Sequence, residues 1–387
     1  MIPRSVKPLI SNSFFLFGAR GTGKSTFLRQ LLPESKEVLW IDLLKPEQED
    51  RYARRPQEMA EQLALGRDRI RWVVIDEVQK VPKLLDVVHS ETEAGHGARF
   101  AMTGSSARKL KRETTNLLAG RAFVYSLFPL THSELGTAFD LDAALKFGTL
   151  PGLMNLSTSE ERSAFLRAYA LVYLKEEVWA EHLVRNLDPF RRFMEVSAQC
   201  NGDIVNFSNI ARDVGADIKT VQSYFQILED TLIGFLLEPF HGSVRKRQAG
   251  AAKFFLFDTG VKRALDRTLT VELLPGTYAY GRAFEHLVIV EAMRLSSYKQ
   301  NDYRFSYLRT KDGAEIDLII ERPSAPVALV EIKSSDRVDE RDTKPLERLA
   351  ADFPDSEAIC LSRDPVAKKI GSVRALPWQE GLKELGL

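Results

Sequence analysis

The chain has 387 residues, of which 28% are charged and 44% apolar, and its formal net charge is +1. This length exceeds one typical domain, so we expect two or three hydrophobic cores. The composition excludes a long disordered tail, and the balanced charge means that a nucleic-acid-binding surface must be local.

Cysteine usage and hydropathy narrow the class of protein further. Cys200 and Cys360 are isolated from each other and from any metal-ligand pattern, which argues against a disulfide framework and a structural zinc site. No apolar run approaches the roughly 20 residues that a membrane-spanning helix needs. We therefore expect a cytoplasmic protein that does not contact a membrane.

A glycine-rich segment follows the first apolar run, Phe14 to Phe17. Glycines let backbone N–H groups turn around an anion without Cβ clashes, and the following helix begins there with the positive end of its dipole. We predict that Lys24 reaches the β- and γ-phosphates of ATP and that Ser25 offers a hydroxyl to Mg²⁺. The residues predicted to bind the nucleotide here are Gly18, Arg20, Gly21, Thr22, Gly23, Lys24, Ser25 and Thr26.

The next two apolar runs have the character of buried strands. Val38 to Leu43 is followed by a polar helical stretch, and Arg71 to Ile75 ends in the two carboxylates Asp76 and Glu77. Acidic residues at a strand end downstream of a phosphate-binding loop indicate a catalytic pair. We predict that Asp76 holds the Mg²⁺ shell and that Glu77 orients and deprotonates the attacking water.

A further strand, Arg99 to Gly104, ends in small polar residues, and we predict that Ser105 senses the γ-phosphate. Such a strand is expected between the two motif strands, with its tip at the carboxyl edge of a parallel sheet. Arg121 follows a glycine after this strand. An arginine finger acting on the nucleotide and a structural salt bridge are equally good interpretations of Arg121.

Several segments of the chain match the motifs of one family: GARGTGKST, VVIDEVQKVP, AMTGSSARKL, LLAGRAFVYSLFPLTHSEL, TVQSYFQILEDT and FFLFDTG. Over nearly its whole length the sequence resembles a large bacterial and archaeal family of AAA-type ATPases. The resemblance implies an N-terminal P-loop domain, a winged helix and a C-terminal fold like the PD-(D/E)xK nucleases, a group that includes archaeal Holliday-junction resolvases. Gly21-Thr22 and Ser25 stand where many relatives carry a bulkier residue and Thr, a change that should not disturb phosphate binding.

The middle of the chain reads as helices followed by two strands. Thr158 to His182 has apolar residues at helical spacing and is expected to bridge the ATPase to the rest of the chain. The predicted helices of a helix-turn-helix are Phe190 to Cys200, Phe207 to Val214 and Ile218 to Asp230.

The third of these helices, Ile218 to Asp230, is a candidate for contact with DNA. Its outward face carries the polar residues Lys219, Gln222, Ser223 and Gln226. The strand candidates after this helix would place Arg245, Lys246 and Arg247 at the tip of a wing. Winged helices also bind proteins, so both DNA and protein contact stay open here.

The last segment contains a second group of charged residues. Glu285 lies near the start of a helix, Asp317 lies in a strand, and Glu331 and Lys333 share one face of another strand because alternate residues point the same way. Asp317 and Glu331 could hold Mg²⁺, or Mn²⁺ in its place, while Lys333 assists the attacking water.

The family resemblance carries over to Glu285, Asp317, Glu331 and Lys333 as the catalytic residues of a nuclease-like site. A retained fold that only binds is the alternative. His286, beside Glu285, is expected to be a surface or packing histidine.

These observations predict an α/β protein with three parts: a P-loop AAA-type ATPase domain (1–155), a helical linker with a winged helix-turn-helix (156–270) and a nuclease-like α/β domain (271–387).

We expect a Mg²⁺-dependent ATPase that forms a homo-oligomer and acts on duplex, branched or broken DNA, with possible endonuclease activity. The main alternative is a nucleotide-controlled switch or scaffold with an inactive nuclease fold. A small-molecule kinase is disfavoured by the Asp76-Glu77 pair and the large C-terminal half.

Overall fold

The computed structural model describes residues 2–95, 97–105, 120–173, 187–241 and 251–387. Along these residues a five-stranded parallel sheet comes first, a helical region with a two-stranded sheet follows, and a six-stranded mixed sheet comes last. The predicted mixed α/β class is therefore confirmed.

The N-terminal sheet has the strand order β2-β3-β4-β1-β5. Strand β4 pairs in parallel with both β1 and β3, as predicted for the sensor strand. The strands are Ser13–Phe17 (β1), Val38–Asp42 (β2), Trp72–Asp76 (β3), Arg99–Gly104 (β4) and Ala122–Ser126 (β5). The helices packed around them are Lys24–Leu31 (α1), Pro46–Arg54 (α2), Glu58–Leu65 (α3) and Leu84–Glu93 (α4). Because all five strands are parallel, their carboxyl ends meet at one edge, where ligands bind in such sheets.

The central region is mostly helical. Its elements are His132–Leu135 (α5), Leu141–Phe147 (α6), Ser159–Ala168 (α7), Leu187–Gln199 (α8), Phe207–Val214 (α9), Ile218–Asp230 (α10), Gly234–Leu237 (β6), Lys253–Leu256 (β7) and Thr259–Leu265 (α11). A π-helix, Tyr169–Tyr173, extends α7, and the rest of the helix predicted to reach His182 lies outside the described residues.

The boundaries of α9 and α10 follow from local capping. Asn206 and Asp217 accept hydrogen bonds from the first turns of these helices, and Gly215 ends α9 in the left-handed conformation. The apolar side of α10 is buried, and its polar face is exposed at Lys219, Gln222, Ser223 and Gln226, as predicted.

The C-terminal sheet has the order β12-β13-β11-β10-β9-β8. Strand β10 pairs antiparallel with β9 and parallel with β11. The elements of this region are Tyr278–Lys299 (α12), Arg304–Arg309 (β8), Glu315–Glu321 (β9), Val327–Lys333 (β10), Glu340–Ala350 (α13), Ser356–Ser362 (β11), Lys368–Ile370 (β12), Val373–Pro377 (β13) and Trp378–Glu384 (α14). Val330 and Ile332 of β10, which alternate with Glu331 and Lys333, join the hydrophobic core beneath α12.

Helix α12 joins the C-terminal region to the rest of the chain through the buried side chain of Arg294. Its guanidinium donates to the carbonyl of Leu130 (3.3 Å), the hydroxyl of Thr149 (3.1 Å) and the carbonyl of Phe257 (2.6 Å). It also pairs with the buried carboxylates of Glu291 (3.2 Å) and Asp258 (3.8 Å).

We predict that Arg294→Ala destabilises the protein strongly. Removing one member of a buried ion group leaves uncompensated charge, which typically costs about 3–5 kcal/mol. The urea concentration at half-unfolding should fall well below that of the wild type. Arg341→Ala, which removes an exposed ion pair with Asp339, is the control and should leave the midpoint unchanged. Equal midpoints for the two variants would contradict the structural role of Arg294.

Candidate nucleotide-binding site

The glycine-rich loop lies at the carboxyl end of β1, and α1 begins directly after it at Lys24. Gly23 has a φ of 93°, a left-handed conformation that favours glycine. A Cβ atom on Gly18 would lie 2.3 Å from the carbonyl oxygen of Leu127, so no larger residue fits there. Backbone and packing thus both require glycine in this loop.

The Lys24 side chain is buried inside the loop. Its ammonium donates to the carbonyl of Gly18 at 2.8 Å and lies 3.6 Å from the Glu77 carboxylate. A phosphate group held by the loop would contact this ammonium, as the sequence predicts.

Asp76 lies at the end of β3 with only 1% of its surface exposed. The Thr103 hydroxyl donates to it at 2.5 Å, and the Ser25 side chain forms a second hydrogen bond to it. Burial raises the pKa of Asp76, and these two hydrogen bonds act in the opposite direction. A hydroxyl and a carboxylate in contact are the hard oxygen donors that Mg²⁺ prefers, so Ser25 and Asp76 fit the predicted role.

Glu77 is one residue further on and has a φ of 61°, which is rare outside glycine. Its N–H donates to the Thr103 hydroxyl at 2.9 Å. Its carboxylate accepts from the side-chain amide of Gln79, which also donates to the Ser105 hydroxyl at 3.2 Å. The predicted base and the predicted sensor are therefore joined through Gln79. Left-handed residues cost about 1–3 kcal/mol and cluster at functional sites.

Two further predicted residues, Arg20 and Thr26, are exposed, whereas Thr22 is buried and its hydroxyl donates to the carbonyl of Ala19 at 2.8 Å. The carbonyl of Arg20 accepts a hydrogen bond from Tyr169 at 2.7 Å, which ties the loop to the central region.

Sequence reasoning missed Thr103, Gln79 and Arg4 at this site. Arg4 donates to the carbonyl of Thr22 at 2.7 Å and to the Tyr298 hydroxyl at 2.9 Å, so it joins the phosphate-binding loop to α12. Two of these residues could have been found from local sequence. Thr103 carries a hydroxyl near the end of β4, and Gln79 carries an amide two residues after Glu77. Arg4 has no such signal, because its partners are far away in the sequence.

Arg121 lies at the opposite edge of the sheet. It precedes β5, whose first residue pairs with Ser13 at the amino end of β1, about 15 Å along the strand from the loop. Its guanidinium is 3.0 Å from the Glu93 carboxylate and 3.1 Å from His89 Nδ1. The expected structural ion pair is thus present, and an arginine finger at this position would have to act on a neighbouring subunit.

The C-terminal residues predicted from the resemblance come together between α12, β9 and β10. Lys333 Nζ lies 2.5 Å from Glu331 Oε1, and the Asp317 carboxylate accepts from the N–H of Ile332 at 2.8 Å. Burial raises the pKa of Glu331 to about 8 and that of Glu285 to about 7, with the charge of Asp317 adding to both shifts.

Two residues to which the sequence analysis assigned no role at this site also lie here, Lys253 of β7 and Glu315 of β9. We call Glu285, Glu315, Asp317 and Glu331 the carboxylate cluster. The Lys253 ammonium lies 3.5 Å from Glu285 Oε1 and forms a close ion pair with Glu315. Within the described ranges, no three His, Cys, Asp or Glu side chains are arranged to hold a metal ion together. In this conformation the cluster therefore does not present an open metal site, although its donor chemistry suits Mg²⁺ or Mn²⁺.

His286 is buried against β7, where its Nε2 lies 2.6 Å from the carbonyl of Leu256. Burial lowers the pKa of this imidazole to about 3, which keeps it neutral. His286 is thus a packing residue, as expected. The basic residues Arg245, Lys246 and Arg247 lie outside the described residues.

Comparison with protein families divides the chain into three matched segments. Residues 11–136 match the AAA domain, residues 138–272 a domain of unknown function (DUF8612), and residues 280–380 another domain of unknown function (DUF4143). The N-terminal part is thus similar to AAA-type P-loop domains. Such a domain implies nucleotide binding, in agreement with the geometry around Lys24, Ser25 and Asp76.

Similar proteins are themselves uncharacterized. A protein of Mycobacterium tuberculosis and one of Mycobacterium bovis are each 26% identical over 258 residues, or 66% of this chain. The match spans 57% of the length of these mycobacterial relatives. A protein of Methanocaldococcus jannaschii is 21% identical over 380 residues, which cover 91% of this chain and 80% of that protein.

Two solved structures have a slight overall similarity to the chain. The Pif1 helicase of Candida albicans has a TM-score of 0.19 at 15% identity and covers 41% of this chain and 44% of its own. Domain III of the replication initiation protein DnaA of Thermotoga maritima has a TM-score of 0.18 at 15% identity. The match covers 56% of this chain and 84% of that domain. Scores this low support no inference about fold or function. In the part of the chain described, no helix has the length and apolar character of a membrane span.

We predict that Lys24→Ala and Glu77→Gln have different effects on ATP. Lys24→Ala should weaken nucleotide binding and abolish turnover, because it removes the charge inside the loop. Glu77→Gln should bind ATP normally and hydrolyse it about 10² to 10⁴ times more slowly, the usual effect of losing a general base. Fluorescent-nucleotide binding and phosphate release measure the two properties. Undiminished hydrolysis by Glu77→Gln would contradict its assignment as the base.

Proposed function

We propose that the protein is a Mg²⁺-dependent ATP hydrolase that acts on DNA. The observation that carries the ATPase part is the meeting of Lys24, Ser25, Asp76 and Glu77 at one edge of the parallel sheet. A phosphate loop with a lysine, a hydroxyl-carboxylate pair and an adjacent second carboxylate is the set that phosphoryl transfer to water requires.

Each residue of this set has a distinct task in the proposed reaction. Lys24 would balance charge on the β- and γ-phosphates, and Ser25 with Asp76 would hold Mg²⁺, which neutralises charge on the phosphate oxygens. Glu77 would orient a water molecule and accept its proton. Gln79 would couple the position of the Glu77 carboxylate to that of the Ser105 hydroxyl, since its amide donates hydrogen bonds to both. Arg121 would complete the site of a neighbouring copy if the protein forms an oligomer.

Contact with DNA is supported by the exposed polar face of α10 and by the basic run that precedes β7. The face carries Lys219 and Gln222, and the run contains Arg245, Lys246 and Arg247. Phe240 and Ala251 flank the run, and both hydrogen-bond to Tyr307 of β8, at 2.6 Å each. The described residues on either side of the run thus both contact the C-terminal sheet, and we propose a winged helix-turn-helix that binds DNA next to this part of the molecule.

We predict that replacing Arg245, Lys246 and Arg247 together with Ala weakens DNA binding equally for all sequences. Each lost phosphate contact should flatten the log-log salt dependence by about 0.9 on duplex DNA. Fluorescence anisotropy at several salt concentrations measures both effects. Replacing Arg54, Arg55 and Lys36, which are exposed on the N-terminal region, serves as the control for lost positive charge. An unchanged affinity and slope would favour a protein partner instead.

A second candidate activity is metal-dependent cleavage of DNA by a nuclease-like C-terminal domain. It is favoured by the proximity of Glu285, Asp317, Glu331 and Lys333, because two carboxylates on neighbouring strands can hold the ion that phosphodiester cleavage needs. The pairing of Lys253 with Glu285 and Glu315 favours the alternative, a nucleotide-controlled switch whose C-terminal domain only binds.

One experiment distinguishes these functions. Purified protein is incubated with ATP, Mg²⁺ or Mn²⁺, and labelled linear, forked or four-way-junction DNA, and both phosphate release and strand cleavage are followed. We expect DNA to stimulate ATP turnover. Asp317→Ala should abolish any cleavage and spare ATP hydrolysis, whereas Lys24→Ala shows whether cleavage depends on ATP. If none of the DNA substrates stimulates ATP turnover and none of them is cleaved, the proposal is overturned in favour of the nucleotide-controlled switch.

A further inference from the structure

Besides Lys333 and Arg282, which pair with Glu331 and Glu285, the carboxylate cluster of the C-terminal region contains a third cation supplied by the protein. Lys253 is the first residue of β7, and only 3% of its side chain is exposed. Its ammonium contacts Glu285 and Glu315, and the negative charge of Asp317 also acts on it. A lysine buried this deeply needs carboxylate partners, so the ammonium and these carboxylates stabilise one another.

The position of Lys253 is fixed by the backbone as well as by its ion pairs. In β7 it pairs with Leu237 of β6, and a separate bridge joins it to Ile204. Its ammonium lies 5.3 Å from the centre of the Tyr307 ring. The ammonium can therefore leave the cluster only if its side chain loses several contacts or if β7 itself moves.

One carboxylate oxygen of the cluster nevertheless accepts no hydrogen bond from the described residues. Glu331 is buried, and in the described part of the chain its Oε2 atom has no hydrogen-bond partner, while its Oε1 atom pairs with Lys333. An unpartnered buried carboxylate oxygen is costly, and it indicates an incomplete site rather than a finished structural ion pair.

We propose that Lys253 is a built-in cation that keeps a divalent metal ion out of the cluster of Glu285, Glu315, Asp317 and Glu331. This inference rests on the nuclease part of the proposed function and adds the control of its metal site. The ammonium would compete with a metal ion for the carboxylates of Glu285 and Glu315, and its positive charge would repel a metal ion held by the neighbouring Asp317 and Glu331. Lys253 belongs to the central region, whereas the four carboxylates belong to the C-terminal region.

The test measures Mn²⁺ binding to the nucleotide-free full chain by electron paramagnetic resonance of the free ion. Wild type, Lys253→Met and Lys253→Gln are compared, each with and without Asp317→Asn. Lys262→Met is the matched control, because Lys262 lies in the same region and pairs with Asp266, and among the described residues it forms no ion pair with the cluster. ATP hydrolysis and thermal unfolding show whether each variant is folded.

Lys253→Met should gain one Mn²⁺ ion per chain, bound about tenfold or more tightly than by wild type, and Asp317→Asn should remove it. Mn²⁺ should raise the unfolding temperature of Lys253→Met and leave that of Lys262→Met unchanged. If the lysine variants fold poorly, Mn²⁺ should restore their folding, and a failure to do so counts against the proposal.

Two results would overturn the inference in different ways. If the wild type binds Mn²⁺ through Asp317 as tightly as Lys253→Met does, Lys253 does not exclude the metal ion. The nuclease proposal would survive that result. Folded Lys253→Met and Lys253→Gln that both fail to bind Mn²⁺ would show that the cluster is not a metal site. The ATPase proposal would then stand alone, since phosphate release is measured separately.

Discussion

The buried Arg294 is the interaction on which the arrangement of the whole chain depends. One guanidinium satisfies carbonyl groups and carboxylates from the N-terminal, central and C-terminal regions. A buried cation is tolerated only when its partners surround it, so the three regions must meet in one geometry. His132 adds to the same cluster, because its ring nitrogen lies 2.6 Å from Glu291.

The helix that carries Arg294 also links the two candidate sites. Tyr298, near its end, contacts Arg4, which donates to the carbonyl of Thr22 in the phosphate-binding loop. Glu285, near its start, belongs to the carboxylate cluster. These two residues are about 20 Å apart along one continuous helix. Helix α12 thus contacts the phosphate-binding loop through Arg4 and carries one residue of the carboxylate cluster.

Both sites pair a buried lysine with a carboxylate of proposed catalytic role. Lys24 lies 3.6 Å from Glu77, and Lys253 lies 3.5 Å from Glu285. The difference lies in where the lysine comes from. Lys24 belongs to the loop that would hold the phosphates, so its ammonium would stay in place when the ligand enters. Lys253 comes from a different region than the carboxylates that it pairs with, and in our proposal its ammonium takes the place of a metal ion.

The sequence by itself determined the phosphate-binding loop, the acidic pair after β3 and the helices α9 and α10. These features depend on contiguous residues: glycines that permit a left-handed turn, carboxylates at a strand end, and capping residues such as Asp217. Tertiary structure alone decided that Thr103 supports Asp76, that Arg121 lies at the far edge of the sheet, and that Lys253 enters the carboxylate cluster. Such contacts join residues that are far apart in the chain, and only the packing of complete elements brings their charges together.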